Sequence, residues 1–457
     1  MYRDLAPSLQ PQRLHAGTPT RALHVGMIGI GTVGTGIARV LLRNQAEIAG
    51  RAGRGIELVA VAARNLPRAA GLVGSNAAAV EITGDPLRVA THPDVDVVVE
   101  VAGGTVAPRD WALAAINNGK HWVTANKALL AMHGTQILAA ARRQGVAVAY
   151  EGAVAGSIPI VKTLREGLTA NRIEWVAGII NGTTNFILSK MRDEGLGFAE
   201  ALAQAQAMGY AEADPAFDIE GIDAAHKLAL LAANAFGMSI RFADTQVEGI
   251  TALDGLDVAC AEQLGYRIKL LGIARRRANG VELRVQPALL PASHLLAQVN
   301  GSMNGVMVKG DASGVTLYCG AGAGSEQTAS AVIADLVDIA RQGRISPAQR
   351  VPHLGFQAEA LRPLPVLRRE GVRTSHYLRV PLQVEADAEP VAQWLKAQGL
   401  PVRHSELVKA QPDGAPQLLV LTNAAMQDAV DRVLQSLAAQ PGVAGAATTL
   451  RVEDWAC

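Results

Sequence analysis

The chain has 457 residues, of which 49% are hydrophobic and 18% are charged, and its formal net charge at pH 7 is +1. The length predicts about three domains with enough apolar material for large cores, and the balanced charge gives no support for a nucleic-acid or membrane partner. Three widely spaced cysteines, without a C-x-x-C pair, argue against a disulfide framework or a zinc site.

The N-terminal residues 1–20 contain Pro, Gln and Arg but lack the apolar run of a signal peptide. We therefore expect a flexible leader there. Elsewhere no apolar run reaches the roughly 20 residues that a membrane-spanning helix needs. Together these features predict a cytoplasmic protein.

The stretch LHVGMIGIGTVGTG, residues 23–36, combines an apolar strand, a glycine-rich turn and the start of a helix. It matches the dinucleotide fingerprint G-x-G-x-x-G. In that motif the first glycine permits a sharp turn, the second lets the backbone approach a pyrophosphate, and the third lets helix and strand pack closely. The helix N-terminus adds free N–H groups for the phosphates. The predicted cofactor-binding residues here are Gly29, Gly31, Thr32, Val33 and Gly34.

A second apolar run, Ile56 to Ala62, predicts the next strand of the same sheet. Folds that bind NAD usually place an acid at the end of this strand to hold the ribose 2′-OH. Here Arg64 stands in that place. A guanidinium suits a 2′-phosphate, so NADP is favoured, with NAD as the alternative. A solvated loop residue is the other interpretation of Arg64.

Strand and helix patterns alternate as far as residue 150, which predicts a Rossmann-type, doubly wound parallel sheet. Small residues and Pro159 then mark the entry to a second domain, where consecutive strands predict a mixed or antiparallel sheet. A second glycine run, residues 320–324, enters a helix and is either a hinge or an approach to the cofactor. The pattern β-α-β-β-α near the C-terminus predicts a small ferredoxin-like sandwich.

The fold class is therefore α/β, with an added α+β domain that would bind the substrate. The predicted boundaries are residues 21–152 for the NADP-binding domain with a return helix at 325–345, 153–324 for the substrate domain, 346–374 for a Pro- and Arg-rich linker, and 375–457 for the ferredoxin-like domain.

Acidic residues crowd the stretch from Glu212 to Asp223, just before an Ala- and Leu-rich helix. On that helix Asp223, His226 and Lys227 share one face by i, i+3 and i+4 spacing. A polar stripe on a mostly apolar helix must find partners or line a cavity. A surface ion pair is the plainer alternative, and a calcium loop fits poorly because the D-x-D-x-D-G spacing is missing.

Seven motifs follow one another between about Val25 and Arg341. They are GIGTVGTG, EVAGG, TANKALL, YEGAVAGSIPI, GIINGTTNFIL, AMGYAEADPAFDIEGIDAAHKLALLA and GAGAGSEQTASAV. On these motifs the sequence resembles the homoserine dehydrogenases that carry a C-terminal ACT-like domain. The resemblance implies NAD(P)-dependent interconversion of L-homoserine and L-aspartate 4-semialdehyde, in threonine, methionine and isoleucine biosynthesis.

The resemblance also assigns catalytic and substrate-binding roles. Lys227 would be the proton donor, and Lys127 would lie near the nicotinamide and the substrate hydroxyl. Glu212 and Asp223 would hold the substrate, with Thr183 nearby. A zwitterionic amino acid has an ammonium group that needs such carboxylates.

Further implied sites involve the cofactor, a cation and a second subunit. Gly209 and Gly324 would join the dinucleotide site. The side chain of Glu151 and the carbonyls of Val154, Gly156 and Ile158 would form a structural site for a monovalent cation, sodium in this family; oxygen ligands suit such a hard cation. A homodimer or homotetramer is implied as well.

Two rival functions and one departure from the family pattern remain. Aspartate-semialdehyde dehydrogenase binds NADP but needs a nucleophilic cysteine, and neither Cys260 nor Cys319 has an obvious base beside it. A non-catalytic NADP-binding regulator would not need Lys227. In the C-terminal region, residues 385–390 lack the glycine usual in the effector turn of ACT domains, so inhibition by threonine through this region is expected to be weak or absent.

Overall fold

The computed structural model describes residues 21–74, 79–343, 345–409 and 415–455. The predicted leader at residues 1–20 lies outside the described residues. Within them the chain forms two sheets, one of six strands and one of eleven.

The N-terminal half forms a parallel sheet in the order β3-β2-β1-β4-β5-β6, the strand order of a Rossmann fold. The predicted α/β fold class is thereby confirmed. Its strands are β1 (Leu23–Ile28), β2 (Ile56–Ala62), β3 (Glu81–Thr83), β4 (Val97–Glu100), β5 (His121–Thr124) and β6 (Val148–Ala149). Its helices are α1 (Thr32–Arg43), α2 (Gln45–Ala52), α3 (Leu66–Val73), α4 (Pro86–Thr91), α5 (Val106–Asn117) and α6 (Lys127–Gln144).

A helix from much later in the chain completes one face of this sheet. The helix Ser325–Gln342, numbered α13 in chain order, packs its apolar side against β1 and α1 in a common buried core. Val332, Leu336 and Ile339 are among its buried side chains. This face of the sheet is thus covered by a helix that follows the whole second domain in the sequence.

The second domain has a mixed sheet that helices cover. Its strands are β7 (Ile173–Ile179), β8 (Gln246–Val247), β9 (Tyr266–Arg277), β10 (Gly280–Pro291), β11 (Met303–Gly310) and β12 (Gly314–Ala321). Its helices are α7 (Ile160–Lys162), α8 (Gly182–Glu194), α9 (Phe198–Ala207), α10 (Ala216–Ile219), α11 (Ile222–Phe236) and α12 (Gly255–Gln263). Every residue of α11 from Asp223 to Phe236 is buried.

The C-terminal region contains β13 (Arg373–Pro381), α14 (Ala388–Ala397), β14 (Val402–Lys409), β15 (Pro416–Thr422), β16 (Ala425–Met426), α15 (Gln427–Leu437) and β17 (Thr448–Val452). The strand order β17-β13-β15-β14 is that of a ferredoxin-like sandwich. The turn after β13 is a short 3₁₀ helix, Glu385–Asp387, without a glycine. Weak or absent threonine inhibition therefore stays a prediction.

The sheets of the second domain and the C-terminal region are continuous, because β17 pairs in parallel with β10. The fully buried Arg284 of β10 supports this junction by binding the carboxylates of Glu282 and Glu453. Removing one partner of such a buried ion pair typically costs about 3–5 kcal/mol. The junction is therefore a fixed part of the fold.

The Pro- and Arg-rich segment at residues 346–374 lies against both larger domains. Arg350 donates to the Gly145 carbonyl at the end of α6, at 2.8 Å. Farther along, the Val281 N–H donates to Pro365, and Leu367 donates back to Val281. No helix in the described part of the chain is long and apolar enough to cross a membrane.

A pH-dependent loss of stability is expected from His376, which is buried between β13 and α15. Its Nε2 lies 3.1 Å from Gln427 Oε1, and burial is the main cause that lowers its pKa to about 4. The unfolded chain takes up this proton near pH 6.5, whereas the folded chain does so near pH 4. Stability should therefore fall as the pH drops through that window, by about 1.4 kcal/mol per pH unit.

The measurement is urea unfolding of the wild type and of His376→Gln at pH 7 and pH 5. The variant should lose less stability on acidification, and His404→Gln, which alters an exposed histidine, should behave like the wild type. An unchanged pH dependence in His376→Gln would contradict the assignment.

Candidate active site

The glycine-rich turn after β1 has the geometry that a dinucleotide needs. Gly29 has a φ of +103°, in the region that favours glycine, and a Cβ there would meet the Val101 backbone at 2.9 Å. A Cβ on Gly34 would lie 2.2 Å from the Gly29 carbonyl oxygen, whereas one on Gly31 would meet no atom within 4 Å. The backbone is therefore tightly packed around Gly29 and Gly34, whereas the space next to Gly31, at the N-terminus of α1, is open.

The edge of the sheet beside this turn is fixed by Glu100, at the end of β4. One carboxylate oxygen accepts the N–H groups of Ala102 and Gly103 at 2.8 and 3.1 Å, and the other accepts the Thr124 hydroxyl at 2.8 Å. Burial raises the pKa of Glu100 despite these hydrogen bonds. The carboxyl group thus ties the loop after β4 to β5, at the strand ends where open α/β sheets bind ligands.

The N-terminus of α13 lies beside that of α1. Gly324 caps α13 with a φ of +143°, and the Ser325 hydroxyl donates to the Thr32 carbonyl at 2.7 Å. A Cβ on Gly36 would meet the Ser325 carbonyl oxygen at 2.4 Å. Two helix N-termini, each favourable to phosphate, therefore meet at the predicted cofactor site, with Thr32 and Val33 in the first turn of α1.

Arg64 is exposed, two residues beyond β2. Asn65, the next residue, caps α3 by accepting the Arg68 N–H at 2.9 Å. No carboxylate occurs between the end of β2 and the start of α3. Arg64 thus occupies the position that the sequence predicted, on the carboxyl edge of the parallel sheet.

The Asp223 carboxylate lies between two lysine ammonium groups. Lys227 Nζ donates to Asp223 Oδ2 at 2.7 Å and to the Ile180 carbonyl at 2.8 Å. Lys127 Nζ, from the first turn of α6, lies 3.1 Å from Asp223 Oδ1. Burial alone would raise the pKa of Asp223, but the two ammonium groups hold it well below its usual range.

This triad is not a surface ion pair, so that alternative is wrong. The side chains of Asp223 and Lys227 are 6% and 11% exposed, whereas that of Lys127 is 31% exposed. His226, on the same face of α11, packs between the rings of Phe217 and Phe242. Burial lowers the pKa of His226 to about 4, so its ring is neutral near pH 7.

Asn181 links a second carboxylate, that of Asp218, to the triad. Its side-chain amide donates to Asp223 at 2.8 Å and to Asp218 at 2.7 Å. Burial and the nearby Asp223 raise the pKa of Asp218. Thr183, two residues after Asn181, donates its hydroxyl to the Tyr210 carbonyl at 2.7 Å.

Two predicted residues are not joined to this cluster by a hydrogen bond among the described residues. The side chain of Glu212 is exposed, and its backbone carbonyl accepts from Gln206. Gly209 is exposed with a φ of +75° at the end of α9. Of the acids that precede Asp223 in this stretch, Asp218 is the one hydrogen-bonded to the cluster in the described part of the chain. The roles of Glu212 and Gly209 stay predictions.

The predicted cation ligands lie in the loop that leaves the parallel sheet. Both oxygens of Glu151 accept backbone N–H groups, from Val161 at 2.9 Å and Lys162 at 2.8 Å. Burial and Asp335 raise the pKa of Glu151 to about 7. Gly156 has a φ of +53°, and the turn around it packs on the glycine run, where Ser157 N–H donates to Ala321 at 3.0 Å.

Comparison with known proteins identifies the family. Two family models match in succession, one described as the NAD-binding domain of homoserine dehydrogenase over residues 29–151 and one as homoserine dehydrogenase over residues 159–337. The curated homoserine dehydrogenase of Pseudomonas aeruginosa is 50% identical over 441 residues, covering 95% of this chain and 99% of that protein. The chain belongs to the homoserine dehydrogenase family.

Further relatives agree over the same length. The Neisseria gonorrhoeae homoserine dehydrogenase is 46% identical and covers 95% of this chain and 99% of its own. The solved structure of a homoserine dehydrogenase from Thiobacillus denitrificans superposes with a TM-score of 0.89 at 51% identity, covering 95% of this chain and 99% of that one. The protein is accordingly a homoserine dehydrogenase, an oxidoreductase that acts on a CH–OH group and has an NAD(P)-binding domain.

Membership in this family removes both rival functions, and the described cysteines agree with it. Burial raises the pKa of the Cys260 and Cys319 thiols, the opposite of what a nucleophilic cysteine needs. Cys260 lies in α12 and Cys319 in β12. Neither thiol is activated as a semialdehyde-oxidising dehydrogenase would require.

The sequence analysis did not assign roles to three residues that organise this site. Asn181 joins Asp218 to Asp223, and Glu100 joins the loop after β4 to Thr124 of β5. Glu100 and Asn181 lie in two of the motifs that carry the family resemblance, EVAGG and GIINGTTNFIL. What they bind depends on contacts between distant segments, which a single sequence does not give.

Gly31 and Gly34 should respond differently to the same substitution. Gly34→Ala places a methyl group 2.2 Å from a backbone oxygen and should destabilise the fold by about 1–3 kcal/mol. Gly31 has a φ of −64° and open space, so Gly31→Ala should change stability by less than about 0.5 kcal/mol. It should nevertheless weaken dinucleotide binding, because the methyl fills the approach to the turn.

Thermal unfolding of the free protein and fluorescence titration with NADPH measure the two effects separately. Gly71→Ala, which also meets no atom within 4 Å but lies in α3, is the matched control. Normal NADPH affinity in Gly31→Ala would place the dinucleotide elsewhere.

Proposed function

We propose that this homoserine dehydrogenase reduces L-aspartate 4-semialdehyde to L-homoserine with NADPH, and that Lys227 donates the proton. The observation that carries the proposal is the buried Lys227 ammonium, held by Asp223 and the Ile180 carbonyl. The reaction is reversible and would serve threonine, methionine and isoleucine biosynthesis in the cytoplasm.

The proposed proton transfer uses groups already in place. The reduced nicotinamide supplies the hydride that adds to the aldehyde carbon. Lys227 then gives a proton from Nζ to the aldehyde oxygen, which becomes the hydroxyl of homoserine. Its bonds to Asp223 and Ile180 fix the direction of Nζ, so little reorientation accompanies the transfer.

Lys127 and the carboxylates would position the substrate. Lys127 reaches Asp223 from the other domain at 3.1 Å and is the more exposed of the two lysines. It would stand beside the nicotinamide and the substrate oxygen. Asp218, aligned with Asp223 by Asn181, is the second carboxylate that we propose for the substrate ammonium, together with Thr183 and the earlier candidate Glu212.

The proposed preference for NADP over NAD rests on the residues that follow β2. Arg64 is exposed there and no acid accompanies it, which suits a ribose 2′-phosphate better than a free 2′-OH. The open space next to Gly31 and the adjoining N-termini of α1 and α13 would accommodate the pyrophosphate.

We also propose a structural monovalent cation, sodium, at Glu151 and the carbonyls of Val154, Gly156 and Ile158. In the described hydrogen bonds the carbonyls of Val154 and Gly156 accept none, and that of Ile158 accepts one from Ile160 at 2.7 Å. A carbonyl oxygen has two lone pairs, so all three carbonyls retain a position for a cation. A homodimer or homotetramer and an ACT-like C-terminal domain complete the proposal.

Lys227→Met should lower kcat by roughly 10²–10⁴, the usual contribution of a positioned acid. Methionine keeps most of the volume, so the buried helix should keep its packing. NADPH affinity should hardly change, because Lys227 belongs to the substrate domain. Steady-state oxidation of NADPH by aspartate semialdehyde gives kcat, and fluorescence titration gives the affinity.

The matched control is Lys190→Met, which removes an exposed i, i+4 pair with Glu194. It should retain wild-type turnover. Turnover of Lys227→Met within a factor of about three of the control would refute the proton-donor role, since general acids contribute far more.

Arg64→Ala should weaken NADP binding by about 1.5–3 kcal/mol, the scale of a charge-assisted hydrogen bond. NAD binding should barely change, because the 2′-phosphate is absent from NAD. The measurement is the dissociation constant of each cofactor for Arg64→Ala and for the wild type. The control is Arg51→Ala, which alters a surface arginine that pairs with Glu47. Equal losses for NADP and NAD would show that Arg64 does not read the phosphate.

A further inference from the structure

A second cavity lies away from the Asp223 cluster, at the opposite end of α6. Its volume is about 750 Å³, within the usual range of roughly 300–1,000 Å³ for small-molecule pockets. Residues from the C-terminal half of α6, β6, α13 and the segment 347–361 form its wall, together with the turn around Arg165. An occupant would therefore touch the nucleotide-binding domain, the entry to the substrate domain and the Pro-rich segment at once.

Three guanidinium groups of this cavity have no carboxylate within ion-pair distance among the described residues: Arg142, Arg165 and Arg350. The lining cations Lys162 and Arg341 are instead both paired with Asp338. The three arginines line the same cavity as His353, whose pKa burial lowers to about 4. His353 is thus neutral and adds no charge of its own.

The desolvation of Arg165 and Arg350 is incompletely compensated, whereas Arg142 is exposed. The Nε–H groups of Arg165 and Arg350 are buried and have no hydrogen-bond acceptor among the described residues. Within those residues the side chain of Arg350 makes one hydrogen bond, to the Gly145 carbonyl. A buried donor left unpaired costs free energy, and guanidinium groups pair best with planar or tetrahedral oxyanions.

The remaining wall combines apolar side chains with the carboxylates of Glu166, Asp335, Asp338 and Glu359. Asp338 is paired with Lys162 and Arg341, and Asp335 accepts the Glu151 N–H. The apolar part distinguishes this cavity from a simple anion site. The apolar side chains that line it are Leu138, Val146, Ile240, Leu354, Phe356 and Leu361. A ligand with a charged head and a hydrocarbon body would satisfy both parts of the wall. Inorganic anions would use the arginines alone.

We propose that this cavity is a binding site for a small organic oxyanion, a carboxylate or a phosphate monoester with an apolar body, separate from the active site. The arginines 142, 165 and 350 hold the anionic head, and the apolar wall holds the body. Binding there does not depend on the proton-donor role of Lys227 or on the choice between NADP and NAD.

The test is calorimetric titration of the full chain with four probes: hexanoate, hexyl phosphate, hexan-1-ol and inorganic phosphate. Hexanoate or hexyl phosphate should bind at least tenfold more tightly than hexan-1-ol and than inorganic phosphate, and the tighter of the two identifies the head group. Equal affinity for hexan-1-ol would overturn the role of the arginines. Binding of none of the four probes would overturn the site.

Variants locate the binding. The double variant Arg165→Gln/Arg350→Gln should raise the dissociation constant of the tighter probe at least tenfold, whereas Arg432→Gln, on the exposed face of α15, should leave it unchanged. Arg142→Gln, at an exposed position in α6, is the second variant should the double variant not fold, and a threefold or greater loss is expected. An unchanged constant in Arg142→Gln and in the folded double variant would refute the location.

Competition separates this cavity from the active site. Saturating NADP and homoserine should leave the affinity for the tighter probe within a factor of two. Displacement of the probe by either compound would show that it binds in the catalytic cleft and would overturn the proposal. A failure of the proposed catalytic roles would appear in the Lys227→Met kinetics instead, so the two failures are distinguishable.

Discussion

The buried Asp223 carboxylate, shared by Lys227 and Lys127, is the interaction on which the active site depends. An isolated carboxylate at 4% exposure would pay a large desolvation cost. Two ammonium groups and the Asn181 amide offset that cost, and their combined attraction keeps Asp223 ionised. Because Lys127 comes from the parallel-sheet domain and Lys227 from α11, the same charge that orients the catalytic face also joins the two domains. These contacts within the protein therefore already fix the arrangement of the charged groups in the candidate site.

Local sequence rules predicted the parts of this site that lie on one element. The i, i+4 spacing placed Asp223 and Lys227 on one face, and the glycine spacing placed the cofactor turn between β1 and α1. The helix that these rules predicted after the glycine turn is divided at Asn44 into α1 and α2. The local rules did not predict which of the acids that precede Asp223 in the stretch 212–223 lies beside Asp223. A single helical turn, Ala216–Ile219, presents Asp218 to Asn181, and so short a segment has no periodicity to interpret.

The continuity of the large sheet shows a second limit of local patterns. The sequence predicted a ferredoxin-like unit from alternating strands and helices, and the described strands have that order. Nothing in that pattern indicated that β17 would pair with β10, or that Arg284 would be buried between Glu282 and Glu453. Strand partners far apart in sequence are chosen by side chains on both strands, here by a buried charge network. Because breaking such a network is costly, the C-terminal region is structurally tied to the catalytic sheet.

The helix α6 connects the candidate active site with the cavity that we propose as a second binding site. Its first residue, Lys127, binds Asp223, and the Gly145 carbonyl just beyond its last turn binds Arg350 of the second cavity. Its 18 residues span about 27 Å at the usual helical rise. A second connection runs through Tyr150, which donates to the His353 carbonyl at 2.8 Å and accepts from Asn234 of α11 at 3.0 Å. Since α11 carries Asp223 and Lys227, the two helices that hold this ion triad, α6 and α11, are both joined by hydrogen bonds to the wall of that cavity, α11 through Tyr150.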